Sequence, residues 1–216
     1  MTPRSRKATL LKWLPSHWLI TRVEEAGDTV YLTFDDGPDP AWTPTLLDLL
    51  RTHDAKATFF LVGKLAEASP ALVQRIVDEG HRLGNHSWHH RQFHLRSIQE
   101  QLDEIERTDQ LLQQFDGKIR HDFRPPRGLL GWQMLTALVR KRTRVAYWSY
   151  DSLDHRDEDA SAIINLFKQH PLQSGDIVLM HDDAGKAIEA LKTMLPSWCA
   201  NGWRFDGLPL MEASKK

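Results

Sequence analysis

The sequence predicts an α/β fold built on parallel strands, and a distorted barrel with outer helices fits it best. Short apolar runs alternate with amphipathic stretches, giving about seven strands and about six helices, the pattern of crossover connections between parallel strands. The length of 216 residues is short for a barrel of eight units, which takes about 250 residues. A barrel with a missing or degenerate unit accounts for this, and an open doubly wound sheet is the alternative.

The predicted strands are short runs rich in β-branched and aromatic residues, bounded by turn residues or charges. The run over 176–180 is the clearest late strand, and those over 81–84 and 122–124 are the weakest. The predicted strands cover residues 30–34, 57–62, 81–84, 122–124, 145–149, 176–180 and 203–205.

The predicted helices carry apolar residues three and four positions apart, which places them on one face. Thr43 is the predicted cap of the first helix, with Pro44 at its first position. Gly80 ends the second helix, and Pro196 is expected to bend the last one. The predicted helices cover residues 43–50, 70–79, 97–115, 132–141, 160–170 and 186–200.

The composition excludes several functional classes. With 41% hydrophobic and 26% charged residues, the chain is typical of a globular domain. The formal net charge of −1 gives no electrostatic case for nucleic acid, and no basic stripe stands out. Cys199 is the single cysteine, so the chain cannot form an internal disulfide and nothing in it requires an oxidising compartment.

Residues 1–28 are predicted to form an N-terminal cover segment, and residues 29–216 a single domain. Cations precede an apolar stretch over 10–20, as in a signal peptide, but Lys12, Pro15 and His17 interrupt it and no small-residue cleavage site follows. A membrane-spanning helix takes about 20 apolar residues. We therefore expect a cytoplasmic protein in which residues 10–20 pack on the domain, with contact to a membrane surface as the alternative.

Polar side chains gather directly after the predicted strands. In parallel α/β folds, ligands and catalytic groups lie at the carboxyl ends of the strands. These residues are therefore expected to share one site, whereas a need for solubility alone would scatter them. They are Asp35, Asp36, His86, His90, Arg124, Asp151, Asp154, His181 and Asp182.

Asp35 and Asp36 are adjacent carboxylates that directly follow an apolar strand. Their charges repel each other, and a cation beside them would relieve the repulsion. Neighbouring carboxylates in unequal environments can divide their roles, so that one binds a metal and the other accepts protons. The simpler interpretation is a solvated Asp-Gly-Pro turn, which the buried strand before it disfavours.

His86 and His90 are four residues apart, and one helical turn would place both imidazoles on the same side. Two histidines and one carboxylate form a familiar catalytic zinc set that leaves one coordination position open for water. Spacing alone leaves His89 and His94 as competing ligands. A surface loop rich in histidine is the non-functional interpretation.

Arg124, Asp154 and His181 complete the cluster. Arg124 precedes two prolines that stiffen the backbone, where its guanidinium could hold a carboxylate in a fixed geometry. A histidine at the end of a buried strand can act as a general acid if a carboxylate keeps it protonated, and Asp154 is the candidate partner of His181. Taken singly, each feature also fits a structural role.

Together these segments resemble the polysaccharide deacetylases of carbohydrate esterase family 4, also called the NodB homology domain. The order and spacing of the matching segments fit the family over residues 30–183. The Asp-Asp-Gly segment combined with the later His-Ser-x-x-His segment is highly specific. The matching segments are Thr33–Gly37, His86–His90, Arg124–Gly128, Asp151–His155 and Leu179–Asp182.

The resemblance implies a deformed (β/α) barrel of about seven parallel strands and one divalent metal. Zinc is usual in the family, and the same ligands could take cobalt or nickel. The residues that match the family's metal ligands are Asp36, His86 and His90. Asp35 matches the catalytic base, and His181 matches the catalytic acid.

The resemblance also implies the supporting residues. Arg124 matches the residue that orients the base, and Asp154 matches the partner of the acid. Leu179 stands where the family lines a pocket for the acetyl methyl group. The backbone N–H at Arg127 stands where the family contacts the oxyanion.

Two positions depart from the family pattern. Arg127 and His155 stand where the family often has aromatic residues, and both positions shape the groove near the sugar. Trp148 is a further candidate for the substrate pocket. Because the acid, the base and the metal ligands are all present, these departures bear on the identity of the substrate more than on activity.

The implied function is metal-dependent hydrolysis of N-acetyl groups on an oligo- or polysaccharide that contains N-acetylglucosamine, with release of acetate. The alternatives are another C–N hydrolase on the same fold, such as a deformylase of a lipid-linked amino sugar, and a non-catalytic carbohydrate-binding protein. A non-catalytic protein is expected to lose an acid, a base or a ligand, and none is lost here. The implied partner is an N-acetylated carbohydrate, and the sequence gives no indication of an oligomeric state.

Overall fold

A computed structural model describes residues 3–5, 11, 13–156 and 159–210 of the chain. Five strands form one path of hydrogen-bonded neighbours, in the order β4-β3-β2-β7-β6, and every strand pair between the strands described is parallel. This confirms the α/β class with a parallel sheet. The strands are β1 (Leu19–Ile20), β2 (Thr29–Asp35), β3 (Ala57–Leu61), β4 (Arg82–Asn85), β5 (Val145–Ala146), β6 (Tyr150–Asp151), β7 (Ile177–His181) and β8 (Arg204–Phe205).

The sheet curves toward a barrel through a single residue, Phe123. It forms parallel bridges to Asn85 at the end of β4 and to Val145 in β5, and β5 pairs with β1. The predicted strand over 122–124 is therefore reduced to one bridging residue. In the described part of the chain no strand ladder joins β6 to β1, and β8 pairs only with the start of β2. The result is the deformed barrel that the sequence predicts.

Seven helices are described, and their apolar faces pack against the strands. Six of them correspond to predicted helices. The additional one, α2, is only six residues long, too short for a helical period to show in the sequence. The last helix runs through Pro196 without interruption. The helices are α1 (Thr43–Thr52), α2 (Gly63–Ala68), α3 (Pro70–Asp78), α4 (Ile98–Asp116), α5 (Trp132–Arg140), α6 (Ala160–Gln169) and α7 (Gly185–Ala200).

The predicted cap of α1 is wrong by one residue. Trp42 is the N-cap, and Thr43 is the first residue of the helix. The carboxylate of Asp39 accepts hydrogen bonds from the N–H groups of Ala41 and Trp42, at 2.7 and 3.0 Å. The Thr43 hydroxyl accepts a hydrogen bond from the Asp39 N–H at 2.8 Å and donates one to the carboxylate of Asp182 at 2.6 Å.

The two faces of β2 divide the core from the site. Successive side chains of a strand point to opposite faces, so Leu32 and Phe34 belong to one side and Thr33 and Asp35 to the other. Leu32 and Phe34 are fully buried in the main hydrophobic cluster, which they share with the helices. Thr33 and Asp35 face Arg124. The alternation of β2 therefore delivers a carboxylate to the barrel interior at the end of the strand.

The N-terminal residues contact the barrel at two places. Leu19 and Ile20 are buried and form β1, and residues 3–5 run antiparallel to residues 149–151. Trp13 remains 84% exposed. No helix in the described ranges has the length and apolar character that crossing a bilayer requires. Residues 10 and 12 of the apolar stretch lie outside the described residues, and both the boundary at residue 28 and the membrane contact stay predictions.

Asp176 ties the N-terminal residues to the start of β7. Its fully buried carboxylate accepts hydrogen bonds from Arg4 at 2.6 Å and from Arg22 at 3.1 Å, and from the Ser149 hydroxyl at 2.8 Å. A buried charge that loses its partner is strongly destabilising. The stability of the fold therefore depends on the hydrogen bonds and ion pairs that the Asp176 carboxylate makes.

Replacement of Asp176 by Asn is expected to lower the free energy of unfolding by about 3 kcal/mol, because two arginines then lose their buried counter-charge. Urea unfolding measures the change. Asp28→Asn is the control, since Asp28 is exposed and surface substitutions stay within about 0.5 kcal/mol. Equal stability of the two variants would contradict the structural role of Asp176.

Candidate active site

The polar residues singled out from the sequence meet at one mouth of the barrel. Asp35 ends β2 and His181 ends β7, and these two residues are direct neighbours in the ladder between the two strands. His86 follows the last residue of β4. Arg124 follows the bridging residue Phe123, and its N–H donates to the carbonyl of Asn85 at 3.0 Å. Because the strands are parallel, their carboxyl ends supply one cavity.

Three donor atoms converge on one point beside Asp35. His86 Nε2 lies 3.4 Å from Asp36 Oδ1, and His90 Nε2 lies 3.2 Å from the same oxygen. All three donor atoms lie within 4.8 Å of one another. Asp36 Oδ1 is buried and accepts no hydrogen bond from any described residue.

This geometry fits a divalent metal. Zinc takes nitrogen and oxygen ligands at about 2.0–2.2 Å in a tetrahedron, whose edges are then about 3.3–3.6 Å long. The separations of 3.2 and 3.4 Å between donors are close to such edges. Burial disfavours a charged carboxylate, but the two neighbouring imidazoles hold the pKa of Asp36 well below its usual range. The carboxylate is therefore in the ionised form that a metal ligand needs.

The other nitrogen of His86 fixes the ring for this purpose. His86 Nδ1 lies 2.7 Å from the backbone carbonyl oxygen of Arg124. A carbonyl only accepts hydrogen bonds, so Nδ1 carries a proton, and Nε2 is the ring nitrogen left to bind a metal beside Asp36. Histidines that bind metals are commonly oriented by such a bond.

The turn that carries the two histidines is not the helical turn expected from their spacing. Ser87 and His90 both have left-handed backbone conformations, with φ of 67° and 61°. The Ser87 hydroxyl accepts a hydrogen bond from the His90 N–H at 3.0 Å, and the Asn85 side chain accepts one from the Ser87 N–H at 2.9 Å. Both imidazoles still reach the same side, 4.9 Å apart between ring centroids.

The competing histidines take no part in this group. His89 Nδ1 lies 3.1 Å from a Glu104 oxygen, and His94 is exposed on the following turn. A second cluster brings together Asp154, His155 and His181. There His181 Nδ1 and Asp154 Oδ1 are hydrogen bonded to each other at 2.8 Å, so these two atoms are partners of each other.

Arg124 holds Asp35 in place. Its guanidinium is fully buried and donates to Asp35 Oδ1 at 2.8 Å and to the Thr33 hydroxyl at 2.7 Å. The other carboxylate oxygen, Asp35 Oδ2, faces the metal-binding group at 3.7 Å from His86 Nε2. Arg124 therefore occupies one oxygen of Asp35 and leaves the other toward the cavity.

His181 is held by Asp154 through two bonds. Its Nδ1 lies 2.8 Å from Asp154 Oδ1, and its backbone N–H donates to Asp154 Oδ2 at 2.7 Å. Burial favours the neutral ring, but the Asp154 carboxylate outweighs it and raises the pKa of His181 to about 10. Since Nδ1 bonds to Asp154, the proton on Nε2 is the one available to a ligand.

The four candidates for the substrate pocket differ in exposure. Leu179 is buried beside Thr33 and Asp151 in the sheet, and Trp148 is half-buried. Arg127 and His155 are exposed, and the His155 ring lies 5.9 Å from that of His181. The backbone N–H of Arg127, a residue with φ of 56°, has no acceptor among the described residues.

Asp182 stands out in the sequence without a role, and the structure places it against the turn that follows Asp36. Asp182 follows β7 as a fully buried carboxylate that accepts a hydrogen bond from the Thr43 hydroxyl at 2.6 Å, and burial raises its pKa to about 7. A Cβ at Gly37 would lie 2.2 Å from Asp182 Oδ1. Only glycine therefore permits this approach, although an Asp-Gly pair by itself indicates no more than a turn.

Comparisons with known proteins agree on one family. Residues 22–170 match the family model for polysaccharide deacetylase. The chain is 35% identical to a peptidoglycan-N-acetylglucosamine deacetylase of Bacillus cereus, over 87% of this chain and 69% of the relative. It is 32% identical to a chitooligosaccharide deacetylase of Azorhizobium caulinodans, over 87% of this chain and 96% of the relative.

A solved structure shows the same fold. The crystal structure of a peptidoglycan N-acetylglucosamine deacetylase in complex with an N-hydroxybenzamide derivative has a TM-score of 0.82 against this chain. The two are 32% identical, and the match covers 89% of this chain and 91% of the other.

The geometry predicts which residues are needed to bind a metal. Asp36→Ala is expected to lower the affinity for Zn²⁺ by more than about 100-fold, because loss of a direct ligand exceeds the 10–100-fold cost of losing a residue that only orients one. Competition with a chromophoric chelator measures the affinity. His89→Ala is the matched control and is expected to bind Zn²⁺ as the wild type does. Wild-type affinity in Asp36→Ala, or an equal loss in His89→Ala, would reject the ligand set.

Proposed function

This chain belongs to the polysaccharide deacetylase family, carbohydrate esterase family 4, and from that premise we propose that it removes N-acetyl groups from saccharides that contain N-acetylglucosamine. The proposed reaction is metal-dependent hydrolysis of the acetamide, which yields acetate and a free amino sugar. One observation carries the proposal. The Asp35 carboxylate, the three candidate metal ligands and the protonated His181 converge at one mouth of the barrel.

Asp36, His86 and His90 are the proposed metal ligands, and zinc is the proposed metal. Two imidazole nitrogens and one carboxylate suit zinc with a position left open, and the donor separations support that choice. A divalent ion held there supplies Lewis acidity, which polarises a carbonyl group and lowers the pKa of water.

Asp35 is the proposed general base. Its Oδ1 is held by Arg124, and its Oδ2 faces the metal-binding group. A water that attacks the acetamide carbon at this place can pass its proton to Oδ2. Arg124 stabilises the carboxylate position and so keeps the accepting oxygen aimed at the cavity.

Arg127 and His181 are proposed to act on the other atoms of the amide. The free backbone N–H of Arg127 can donate to the oxygen that gains negative charge when the carbonyl is attacked. His181 then donates its Nε2 proton to the departing nitrogen, because an amine leaves poorly unless it is protonated. Asp154 stabilises the protonated form of His181 and orients it.

The surroundings of the site support a carbohydrate substrate. Leu179 would contact the acetyl methyl group, and Trp148 would contribute an apolar wall. Arg127 and His155 would lie along the rim where the sugar enters. The cytoplasmic location expected from the sequence stays a prediction, as does the contact of residues 10–20 with a membrane.

The proposed function is tested by acetate release from N-acetylglucosamine oligomers, with and without a chelator. We expect chelator-sensitive release by the wild type. Asp35→Asn is expected to lower kcat by about 10²–10⁴-fold, the usual contribution of a general base, while the zinc content of the protein stays unchanged.

Asp28→Asn is the control for the loss of a carboxylate, because Asp28 is exposed and stands before the start of β2. It is expected to keep wild-type kcat. A wild type that releases no acetate from any N-acetylated oligosaccharide would refute the function. A zinc-loaded Asp35→Asn variant with wild-type kcat would refute the role of the base only.

The role of His181 predicts a change in pH dependence. His181 can donate only while protonated, and Asp154 raises its pKa to about 10. In Asp154→Asn the pKa of His181 falls, so the alkaline limb of the kcat profile is expected to move to lower pH, by about 1–3 units for the loss of an adjacent opposite charge. Profiles of kcat against pH measure the shift, and an alkaline limb that moved upward or stayed in place would disagree with the assignment.

A further inference from the structure

His121 lies buried between two carboxylates, outside the catalytic cavity. Its Nδ1 lies 3.0 Å from Asp109 Oδ1, its Nε2 lies 3.1 Å from Asp116 Oδ1, and its side chain is fully buried. A neutral imidazole carries only one N–H, so both contacts are hydrogen bonds only if the ring is an imidazolium. Burial opposes that form, but the two carboxylates raise the pKa of His121.

The two carboxylates come from one face of α4. Asp109 and Asp116 are two helical turns apart on this helix, which ends at Asp116. His121 lies in the segment that leads from the end of α4 to the bridging residue Phe123. The imidazolium therefore holds the end of α4 against the segment that enters the barrel. The backbone N–H of His121 also donates a hydrogen bond to Asp109 Oδ1 at 3.3 Å.

The carboxylate that His121 holds, Asp109, in turn orients the Asn85 side chain. The Asn85 side chain donates to Asp109 Oδ1 and to the carbonyl of Ile105, each at 2.8 Å. Its amide oxygen accepts from the Ser87 N–H at 2.9 Å. Asn85 is fully buried, both of its side-chain N–H groups are used, and its amide therefore has one orientation.

Asn85 thus fixes the turn that carries two of the candidate metal ligands, His86 and His90. Asn85 immediately precedes His86, and the Ser87 hydroxyl accepts the His90 N–H. Ser87 has φ of 67°, a conformation that is costly for a residue with a side chain and needs support from its surroundings. The bond from Asn85 to the Ser87 N–H supplies such support.

We propose that His121 is a positioning residue for the metal site, acting through Asp109 and Asn85 on the turn from His86 to His90. Without the imidazolium, Asp109 would be a buried carboxylate lacking its counter-charge, and such groups move toward water or take up a proton. Either change alters the acceptor that fixes Asn85. The inference rests on the metal site of the proposed function.

The test compares two buried histidines. His121→Gln removes the imidazolium that lies between Asp109 and Asp116. His81→Gln is the matched control, because His81 is also buried, receives the Ala57 N–H on Nδ1 at 3.2 Å and packs edge-on against Phe59, yet it has no bond to Asn85. Chelator competition gives the Zn²⁺ affinity of each metal-free protein, and thermal unfolding without metal gives its Tm.

We expect both variants to lose Tm, and only His121→Gln to lose Zn²⁺ affinity, by about 10–100-fold, as for other residues that orient metal ligands. An affinity of His121→Gln equal to wild type, or an equal loss in His81→Gln, would overturn the proposal. If His121→Gln does not fold, Asp116→Asn decides in the same assay, with a loss of affinity expected and wild-type affinity contradicting the proposal.

The wild-type protein separates this proposal from the function on which it rests. Wild type that binds Zn²⁺ but releases no acetate would refute the deacetylase activity and still permit the comparison of the two histidine variants. Wild type that binds no Zn²⁺ would overturn both the metal site and the positioning role. Binding and activity with unchanged affinity in His121→Gln would overturn the positioning role alone.

Discussion

The geometry of the site depends on one buried cation, the guanidinium of Arg124. It is fully buried, and it donates to Asp35, to Thr33 and to the carbonyl groups of Ala146 and Tyr147. A charge removed from water in this way is tolerated only when its hydrogen bonds and counter-charge are complete. The carbonyl of the same residue holds His86. One residue thus sets the position of both the carboxylate of β2 and a nitrogen donor that follows β4.

Much of the site could be predicted from the sequence, because the chemistry needs particular side chains at the carboxyl ends of strands. Asp36, His86 and His90 stand out through their type and their place after apolar runs. Spacing did not exclude His89 or His94, because that choice depends on the path of the turn. The fold class followed from the alternation of patterns, whereas the strand over 122–124 was overestimated, since one residue is enough to bridge β4 and β5.

The residues that were not predicted act through backbone shape and buried hydrogen bonds. Left-handed conformations occur at several non-glycine residues of the site loops. No local sequence pattern predicts them, because tertiary contacts maintain them. Thr33, Asn85 and His121 are ordinary residues of a strand or loop until the fold brings their partners within reach. The residues with left-handed conformations are Asp36, Ser87, His90, Arg127 and Leu153.

The close approach of Gly37 to Asp182 has a consequence for where this chain tolerates substitution. Position 37 has no room for a side chain, so variation in the loop after β2 is confined to the residues beyond it. Arg127 and His155 lie at the exposed rim and contribute no donor to the three-atom group. A side chain added at position 37 would therefore press on Asp182, whereas substitutions at positions 127 and 155 would reshape the exposed rim without removing a member of the three-atom group.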